Sequence, residues 1–308
     1  MAKPKVIVIT GPTASGKTAL ALKTAQNIQD KTGKAVEIIS ADSRQVYKHI
    51  PITTAQPTQE ELSRFKHHFV NTLELEEEFN AGEFGSQARI LIDKLFSEGK
   101  IPLVVGGSGL YVNSFVYGFF EIGSDDKQLT EKFKIKRDEI YKLKEEKGFD
   151  HLLDELKKHD EVTFARMKEV KERRVIRALE VFYVTGIPIS QHQSHKIEIN
   201  FDAEMYGIQM ERSVLYERIN KRTDVMLSSG MIVEIEALKD MSYHYKTHNS
   251  LNTVGAREIF DFLDGLITKE RMTELIKQNT RRFAKRQLTW FRRDENIKWI
   301  AMDNEIKV

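Results

Sequence analysis

The most constraining feature of this sequence is the stretch KVIVITGPTASGKTAL at residues 5–20. An apolar, β-branched run over Val6–Thr10 predicts a buried strand, and a helical pattern follows over Ala19–Gln29. Between them, GPTASGKT fits G-x-x-x-x-G-K-[ST] at every fixed position, in the strand-loop-helix context of a P-loop. Backbone N–H groups and the helix N-terminus bind phosphate oxygens in such loops. We predict a diphosphate- or nucleotide-binding loop formed by Gly11, Pro12, Thr13, Ala14, Ser15, Gly16, Lys17 and Thr18.

Two side chains of this loop carry specific expectations. Lys17 is expected to neutralise the terminal phosphate, and the Thr18 hydroxyl is expected to hold Mg²⁺. The loop identifies phosphates but not the reaction, since NTPases and kinases both use it. An NTPase usually has a second apolar strand that ends in Asp or Glu, whereas Leu103–Val105 runs into glycines. The sequence therefore disfavours a motor or switch ATPase and favours a group transferase.

Further strand patterns alternate with helical stretches. Ala35–Ser40, Pro102–Val105 and Met205–Met210 are apolar runs that predict strands. Such alternation is typical of a parallel sheet with crossover helices, and ligands bind at the carboxyl edge of that sheet. We predict an α/β fold, with a P-loop parallel-sheet core and helices on both faces. The loops expected at the carboxyl edge are Gly11–Thr18, Ala41–Tyr47 and Gly106–Tyr111.

The sequence pattern changes from about Asp125, where strand signals almost disappear. The stretch that follows is charged and helical in period until Gly186 and Pro188, and Met205–Met210 looks like a strand that returns to the sheet. We therefore predict a core made of residues 1–123 and 201–308, which includes a helical C-terminal part. An all-helical domain is inserted at residues 124–200.

Composition bounds the function classes. The chain of 308 residues has no cysteine, which excludes disulfides, thiolate metal sites and cysteine nucleophiles. No apolar run approaches the roughly 18 residues of a membrane helix, and the N-terminus predicts no signal peptide. The net charge is only +2, but Lys168–Val181 and Arg281–Arg293 are strongly basic, and the latter interleaves aromatic residues. We expect a cytoplasmic monomer that binds a polyanion without a membrane.

Asp42 is the candidate carboxylate of the second loop. It follows the strand predicted at Ala35–Ser40 and should face the P-loop across the sheet edge. In a kinase such a carboxylate orients or deprotonates the acceptor hydroxyl. The alternative is a structural Asx-turn or helix N-cap, for which Asp followed by Ser is equally suited. The residues alone leave both interpretations open.

Several stretches together resemble one family, the tRNA dimethylallyltransferases, also called tRNA isopentenyltransferases. They occur in family order across nearly the whole chain, and the combination of the P-loop with DSRQVY and AKRQLTWFRR is highly specific. The matching residues are Gly11–Thr18, Ala41–Lys48, His67 with His68, Val104–Val112, Arg173–Gly186, Arg222–Met231 and Thr280–Asp294.

The resemblance implies a reaction. A dimethylallyl group passes from dimethylallyl diphosphate to N6 of an adenosine adjacent to the anticodon in tRNA, and diphosphate is released. The implied partners are the donor, Mg²⁺ and the tRNA anticodon stem-loop. Asp42 would accept a proton from the adenine amine, and Lys17 would stabilise the charge on the leaving diphosphate.

The resemblance also implies roles for other residues. Thr13 would touch the diphosphate near its bridging oxygen, and Arg222 would face the diphosphate, with a surface salt bridge as the alternative. A solvated helix face is the alternative for the α-helical arginines among the RNA contacts. The residues implied to contact tRNA are Asp42, Ser43, Arg44, Gln45, Ser108, Arg173, Arg174, Arg177, Lys285 and Arg286. The adjacent His67 and His68 are interpreted as structural, since neighbouring strand residues point opposite ways.

The chain departs from the family pattern at a few positions. Thr53 and Gln56 stand where many members have glycine and lysine, Asn71 stands where an acidic residue is frequent, and Ala256 stands where tyrosine is common. These departures affect loop contacts and details of tRNA recognition, and none of them lies in the P-loop or at Asp42. Two other functions remain as alternatives: an ATP-dependent nucleotide or small-molecule kinase, and an RNA-binding protein with a vestigial P-loop.

Overall fold

The computed structural model describes residues 3–118, 127–167, 169–193, 197–302, 304 and 306. The chain divides into two compact units. The sheet unit comprises Met1–Val116 and Ile199–Val308, and the helical unit comprises Tyr117–Glu198. The boundary predicted between residues 123 and 124 lies outside the described residues, as does Lys168 of the second basic stretch.

A parallel sheet is the centre of the sheet unit. Within the described ranges it has six strands in the order β3-β2-β4-β1-β5-β6, and every neighbouring pair is parallel. The strands are β1 (Lys5–Thr10), β2 (Val36–Ser40), β3 (Lys66–His68), β4 (Ile101–Gly106), β5 (Asp202–Gln209) and β6 (Lys298–Ala301). The predicted parallel sheet is confirmed. The edge strand β6 was not predicted.

Helices cover both faces of the sheet, as predicted. The helices that accompany the first four strands are α1 (Lys17–Thr32), α2 (Pro51–Thr54), α3 (Gln59–Arg64), α4 (Ala81–Ser97) and α5 (Gly109–Tyr117). Because strand side chains alternate between faces, Val8 of β1 packs in a core that includes α4 and α5, and Ile9 packs in a core that includes α1. Both side chains are fully buried, so β1 is the middle of the unit.

The last third of the sheet unit is helical. Its long helices are α11 (Arg212–Ser228), α12 (Met231–Asp240), α13 (Ala256–Leu263) and α14 (Lys269–Phe291). Buried residues of α12, α13 and α14 form a separate apolar core with Val46, Tyr47 and Ile50, which follow β2. This core holds the C-terminal helices beside the loop that carries Asp42.

The helical unit has its own apolar core. It contains α6 (Lys127–Lys147), α7 (Phe149–His159), α8 (Glu161–Arg166), α9 (Glu172–Thr185) and α10 (Ile189–His192). The fully buried side chains of Leu152, Leu156 and Leu179 lie at its centre. Among the helices of the described ranges, none has both the length and the apolar character needed to cross a bilayer.

Candidate active site at the carboxyl edge of the sheet

Three loops meet at the carboxyl edge of the sheet, as their positions after parallel strands require. Residues 11–16 connect β1 to α1, Asp42 follows β2, and Gly107 follows β4. They surround a cavity of about 190 Å³ that is also lined by α11, α12 and α14. The structure therefore brings together the P-loop, the candidate carboxylate and the glycine loop at one site.

The P-loop owes its shape to residues with left-handed backbone conformations. Gly16 precedes α1 with φ 97°, and Ala14 has φ 62°. A Cβ atom on Gly16 would lie 2.8 Å from the sulfur of Met302, a flexible side chain that would have to move, so the positive φ is the stronger reason for glycine here. Lys17 and Thr18 then open α1, where N–H groups at the helix N-terminus are free to bind an anion.

Lys17 and Arg222 supply positive charge to the phosphate end of the cavity. The Lys17 ammonium donates to the carbonyl oxygen of Pro12 at 2.7 Å, and Arg222 Nη1 donates to the Thr13 hydroxyl at 3.4 Å. Burial lowers the pKa of Lys17 to about 8; Asp42 opposes the shift and Arg222 adds to it. Burial also lowers the pKa of Arg222. Two cations held close together in a partly buried site favour a multiply charged anion such as diphosphate.

Asp42 has the geometry of an Asx-turn and also lines the cavity. Its Oδ1 accepts hydrogen bonds from the backbone N–H of Arg44 at 2.9 Å and of Gln45 at 3.4 Å. The structural role considered for this residue is therefore present. Both bonds fall on Oδ1, so the turn orients the carboxylate at the cavity wall without using Oδ2.

Ser108 joins the glycine loop to the loop that carries Asp42. Its Oγ accepts a hydrogen bond from the backbone N–H of Ser43 at 3.0 Å and donates to the Ser43 hydroxyl at 3.2 Å. The backbone N–H of Ser108 also donates to the carbonyl of Ala41 at 3.2 Å. Three contacts therefore fix the position of one loop relative to the other.

Arg44 and Gln45 use their side chains inside the protein. Arg44 Nη1 donates to the carbonyl oxygens of Asn249 at 2.7 Å and Ser250 at 3.2 Å. Gln45 Nε2 donates to the carbonyl oxygen of Ala55 at 2.8 Å. Both side chains therefore attach the loop after β2 to the surrounding chain, in addition to any contact they make with RNA.

Gln287 is a site residue that sequence reasoning missed. This buried side chain of α14 accepts a hydrogen bond from the Thr13 N–H and donates one to the Gly107 carbonyl, both at 2.8 Å. Gln287 lies within the family stretch AKRQLTW, but that stretch indicated RNA contacts by its basic neighbours and no role for the glutamine. Those neighbours, Lys285 and Arg286, are exposed on the same helix, and the Arg286 guanidinium lies 5.8 Å from the Phe283 ring centroid.

The remainder of the cavity wall is mixed in polarity. Its apolar side chains come from α11, α12, the loop before α13, and α14, and they are Ile219, Met226, Met231, Val254, Ile276 and Phe283. Polar side chains of the same region, Thr223, Thr253 and Thr280, line the cavity as well. The cavity thus combines a cationic end, a carboxylate and a hydrocarbon-compatible wall, and the wall was not predicted from the sequence.

The predicted RNA-binding arginines of the helical unit lie on α9 with different surroundings. Arg173 and Arg174 are exposed. Arg177 donates to the buried Glu180 carboxylate at 3.1 Å, and its guanidinium lies 4.9 Å from the Phe133 ring centroid. Arg177 therefore has a structural function of its own, whereas Arg173 and Arg174 present their charge to solvent.

The adjacent histidines have separate structural partners. His67 Nδ1 lies 2.8 Å from the carbonyl oxygen of Phe65, and His68 Nε2 lies 2.5 Å from the Glu37 carboxylate. Across the part of the chain that the structure describes, no group of three or more acidic or histidine side chains is arranged to hold a metal ion.

Departures from the family pattern contact the loop after β2 and helix α12. Gln56 donates to the carbonyl oxygens of Gln45 at 2.9 Å and Tyr47 at 2.7 Å. The backbone N–H of Thr53 donates to the Glu234 carboxylate at 2.8 Å. Gln56 thus stabilises the backbone behind the site, whereas Thr53 itself lines the cavity.

The cavity wall offers oxygen ligands of the kind that a divalent cation takes. Thr18 is exposed at the first turn of α1 and lines the cavity with Asp42. Mg²⁺ prefers oxygen ligands and commonly takes one or two from the protein, with the remainder from phosphates and water. A hydroxyl and a carboxylate beside a phosphate-binding loop match that preference.

Comparison with known proteins agrees with this geometry. The family model for IPP transferase matches residues 45–294, and a model for Zeta toxin matches residues 1–77. A tRNA dimethylallyltransferase of Natranaerobius thermophilus is 40% identical over 96% of this chain and 86% of that protein. One from Cytophaga hutchinsonii is 41% identical over 96% of this chain and 91% of that protein.

Solved structures give the same result. The tRNA isopentenylpyrophosphate transferase of Bacillus halodurans superposes with a TM-score of 0.68 at 36% identity, covering 97% of this chain and 90% of that one. A eukaryotic dimethylallyltransferase acting on tRNA superposes with a TM-score of 0.76 at 27% identity, covering 97% and 74%. With a family model that spans most of its length and relatives near 40% identity, the chain belongs to the IPP transferase family.

Proposed function

We propose that this protein transfers a dimethylallyl group from dimethylallyl diphosphate to N6 of an adenosine adjacent to the anticodon in tRNA, with release of diphosphate. The observation that carries the proposal is the composition of one cavity. A P-loop lysine and Arg222 lie at one end, Asp42 lies on the facing loop, and apolar side chains form part of the remaining wall. The relatives named tRNA dimethylallyltransferase support the same activity.

The P-loop end of the cavity suits the diphosphate of the donor. Lys17 and Arg222 are the cations, and the Thr13 hydroxyl lies between the loop and Arg222. Negative charge grows on the diphosphate oxygens as the bond from C1 to oxygen breaks, so these groups bind the transition state more strongly than the donor. The apolar wall suits the five-carbon chain and keeps water from the allylic centre.

Asp42 is positioned to act on the acceptor. The adenine must leave its stack to enter the cavity, as bases do in enzymes that modify them. As the bond from N6 to C1 forms, the amine loses one proton, and Oδ2 of Asp42 accepts it. The bond from C1 to the diphosphate oxygen breaks as the bond from C1 to N6 forms, so the products are the modified adenosine, diphosphate and one proton.

Mg²⁺ is the proposed metal, with the Thr18 hydroxyl as its protein ligand beside the diphosphate. Bound there, it neutralises part of the charge on the leaving group. Thr18 is the second residue of α1, so its hydroxyl would lie beside the helix N–H groups that bind the phosphates.

The tRNA anticodon stem-loop is the proposed partner, bound by a cytoplasmic monomer. Exposed basic side chains on α9 and α14 provide contacts for the phosphate backbone. These are Arg173, Arg174, Lys285 and Arg286, with a smaller contribution from Arg177 because that residue is paired with Glu180. Ser43 and Ser108 line the cavity, and we assign them to the side that receives the acceptor nucleotide.

The test is incubation with unmodified tRNA and either dimethylallyl diphosphate or ATP, followed by mass analysis of the nucleosides. We expect an adenosine that gains one five-carbon unit with the allylic donor and no phosphorylated product with ATP. The Lys17→Ala variant should lose about 2–4 kcal/mol of transition-state stabilisation while it still binds tRNA. Phosphate transfer from ATP would favour the kinase, and binding of tRNA without either reaction would favour a pure RNA-binding protein.

A further inference from the structure

The Gln287 side chain connects two loops that lie far apart in the sequence. Its Oε1 accepts from the Thr13 N–H in the P-loop, and its Nε2 donates to the Gly107 carbonyl in the glycine loop, both at 2.8 Å. The residue is only 7% exposed, so the bonds are shielded from competing water. A primary amide is suited to this position because it offers one acceptor and one donor on the same planar group.

The contact extends from the glycine loop to the loop of Asp42. Ser108 follows Gly107 and holds the Ser43 N–H at 3.0 Å. Ser43 in turn follows Asp42 directly. A path of hydrogen bonds joined by single peptide links at Gly107–Ser108 and Asp42–Ser43 therefore leads from the P-loop to the loop that carries the proposed base.

The space around Gly107 shows how tightly these parts fit. A Cβ atom placed on Gly107 would lie 2.5 Å from Gln287 Nε2, 3.3 Å from the Gly11 carbonyl oxygen and 3.5 Å from Lys17 Nζ. A side chain at residue 107 would therefore displace Gln287, and the glycine loop approaches Gln287 and the P-loop closely because residue 107 has none.

We propose, on the basis of the proposed function, that Gln287 is a positioning residue that sets the separation between the donor-binding P-loop and the loop of the acceptor base. Its side chain lines the cavity, and its amide oxygen and nitrogen are bonded to the two loops. It acts by keeping the diphosphate and the Asp42 carboxylate at the distance that in-line transfer requires, because small errors in such a distance lower the rate strongly.

Kinetics of Gln287→Met and of a matched control test this role. Methionine has a similar size but makes neither bond, whereas Thr289→Ala changes an exposed residue of the same helix. In Gln287→Met we expect kcat to fall about 10- to 100-fold with the KM for both substrates nearly unchanged, and in Thr289→Ala we expect native kinetics. A native kcat in a folded Gln287→Met would overturn the proposal, as would equal losses in kcat and in both affinities.

Gln287→Glu gives a second test, which remains available if Gln287→Met does not fold. The protonated acid accepts from Thr13 and donates to Gly107 as the amide does, whereas the carboxylate repels the Gly107 carbonyl and attracts Lys17. Lys17 is charged in both proteins well below its pKa of about 8, so the ratio of variant to wild-type rate is compared in that range, where the state of residue 287 is what differs. We expect this ratio to rise as the pH is lowered from about 7 to about 5, and a constant ratio would contradict the proposal.

Amide hydrogen exchange separates this inference from the proposed function. In Gln287→Met, exchange should accelerate at Thr13, which loses its acceptor, and also at Ser43, which lies two contacts away. Thr289→Ala should leave both amides unchanged. If the wild type transfers no prenyl group, the proposed function fails, yet faster exchange at Ser43 still supports the linkage. Unchanged exchange at Ser43 overturns the linkage whatever the reaction is.

Discussion

The Lys17 ammonium lies 2.7 Å from the carbonyl oxygen of Pro12 in its own loop. This contact keeps the charge at the phosphate end of the cavity, where burial lowers the pKa of Lys17 to about 8. A lysine is charged below its pKa, so the free enzyme loses this cation as the pH rises through about 8.

The first prediction follows from that loss of charge. We expect kcat/KM for dimethylallyl diphosphate to fall as the pH rises above about 8, whereas kcat holds to higher pH because bound diphosphate stabilises the ammonium. The measurement is the pH dependence of initial rates. Lys17→Arg is the control, since arginine stays charged in this range. A decline near the same pH in an active Lys17→Arg variant would assign the titration to another group.

The second prediction concerns Asp42→Asn. Asparagine can still accept the two backbone N–H bonds through its side-chain oxygen, so the turn and the melting temperature should persist. The amide cannot take up the proton from N6, and single-turnover transfer should fall by roughly 10²–10⁴-fold. Donor affinity should be retained. A folded variant with a near-native rate would leave Asp42 with its turn function alone.

The third prediction separates two arginines of α9. Arg174→Ala should weaken tRNA binding and reduce the slope of log affinity against log salt by about 1, without a change in melting temperature. Arg177→Ala should lower the free energy of unfolding by about 1–3 kcal/mol, because the buried Glu180 loses one of its two charged donors. Binding titrations at several salt concentrations and thermal melts distinguish them. If Arg177→Ala weakened tRNA binding and Arg174→Ala lowered the free energy of unfolding, the roles assigned to the two arginines would be exchanged.

The fourth prediction tests the unit boundary. A chain in which a short linker joins Val116 to Ile199 lacks the helical unit but keeps every strand of the described sheet. We expect it to fold with a cooperative melting transition and to bind tRNA far more weakly than the full chain. Circular dichroism and tRNA titration are the measurements. Failure to fold would place essential contacts of the core within residues 117–198.

Local patterns predicted the sheet well because strong signals coincide with its centre. The predicted strand Val6–Thr10 became β1, Lys5–Thr10, and the three loops expected at one edge do meet there. β6 escaped notice because it is a short edge strand whose identity depends on pairing with β5, a non-local partner. Strand patterns of four residues carry little information when tertiary pairing decides the conformation.

The site was predicted less completely than the sheet. The P-loop and Asp42 carry motif signals, whereas the partners of Gln287 lie 274 and 180 positions away in the chain. No local pattern shows which carbonyl or N–H an amide will meet. The pairing of Arg177 with Glu180 was also missed. A basic helix face has the same sequence pattern whether its arginines bind phosphate or a buried glutamate.

The position of β1 between β4 and β5 has a consequence for synthesis on the ribosome. β4 ends at Gly106, but β5 begins only at Asp202, so one side of β1 lacks its partner while the intervening residues are made. All of the helical unit emerges before that partner does. Until then the nascent chain carries an open strand edge, which is a hazard for aggregation. A ribosome that stalls before residue 202 would therefore hold a P-loop on an unfinished sheet.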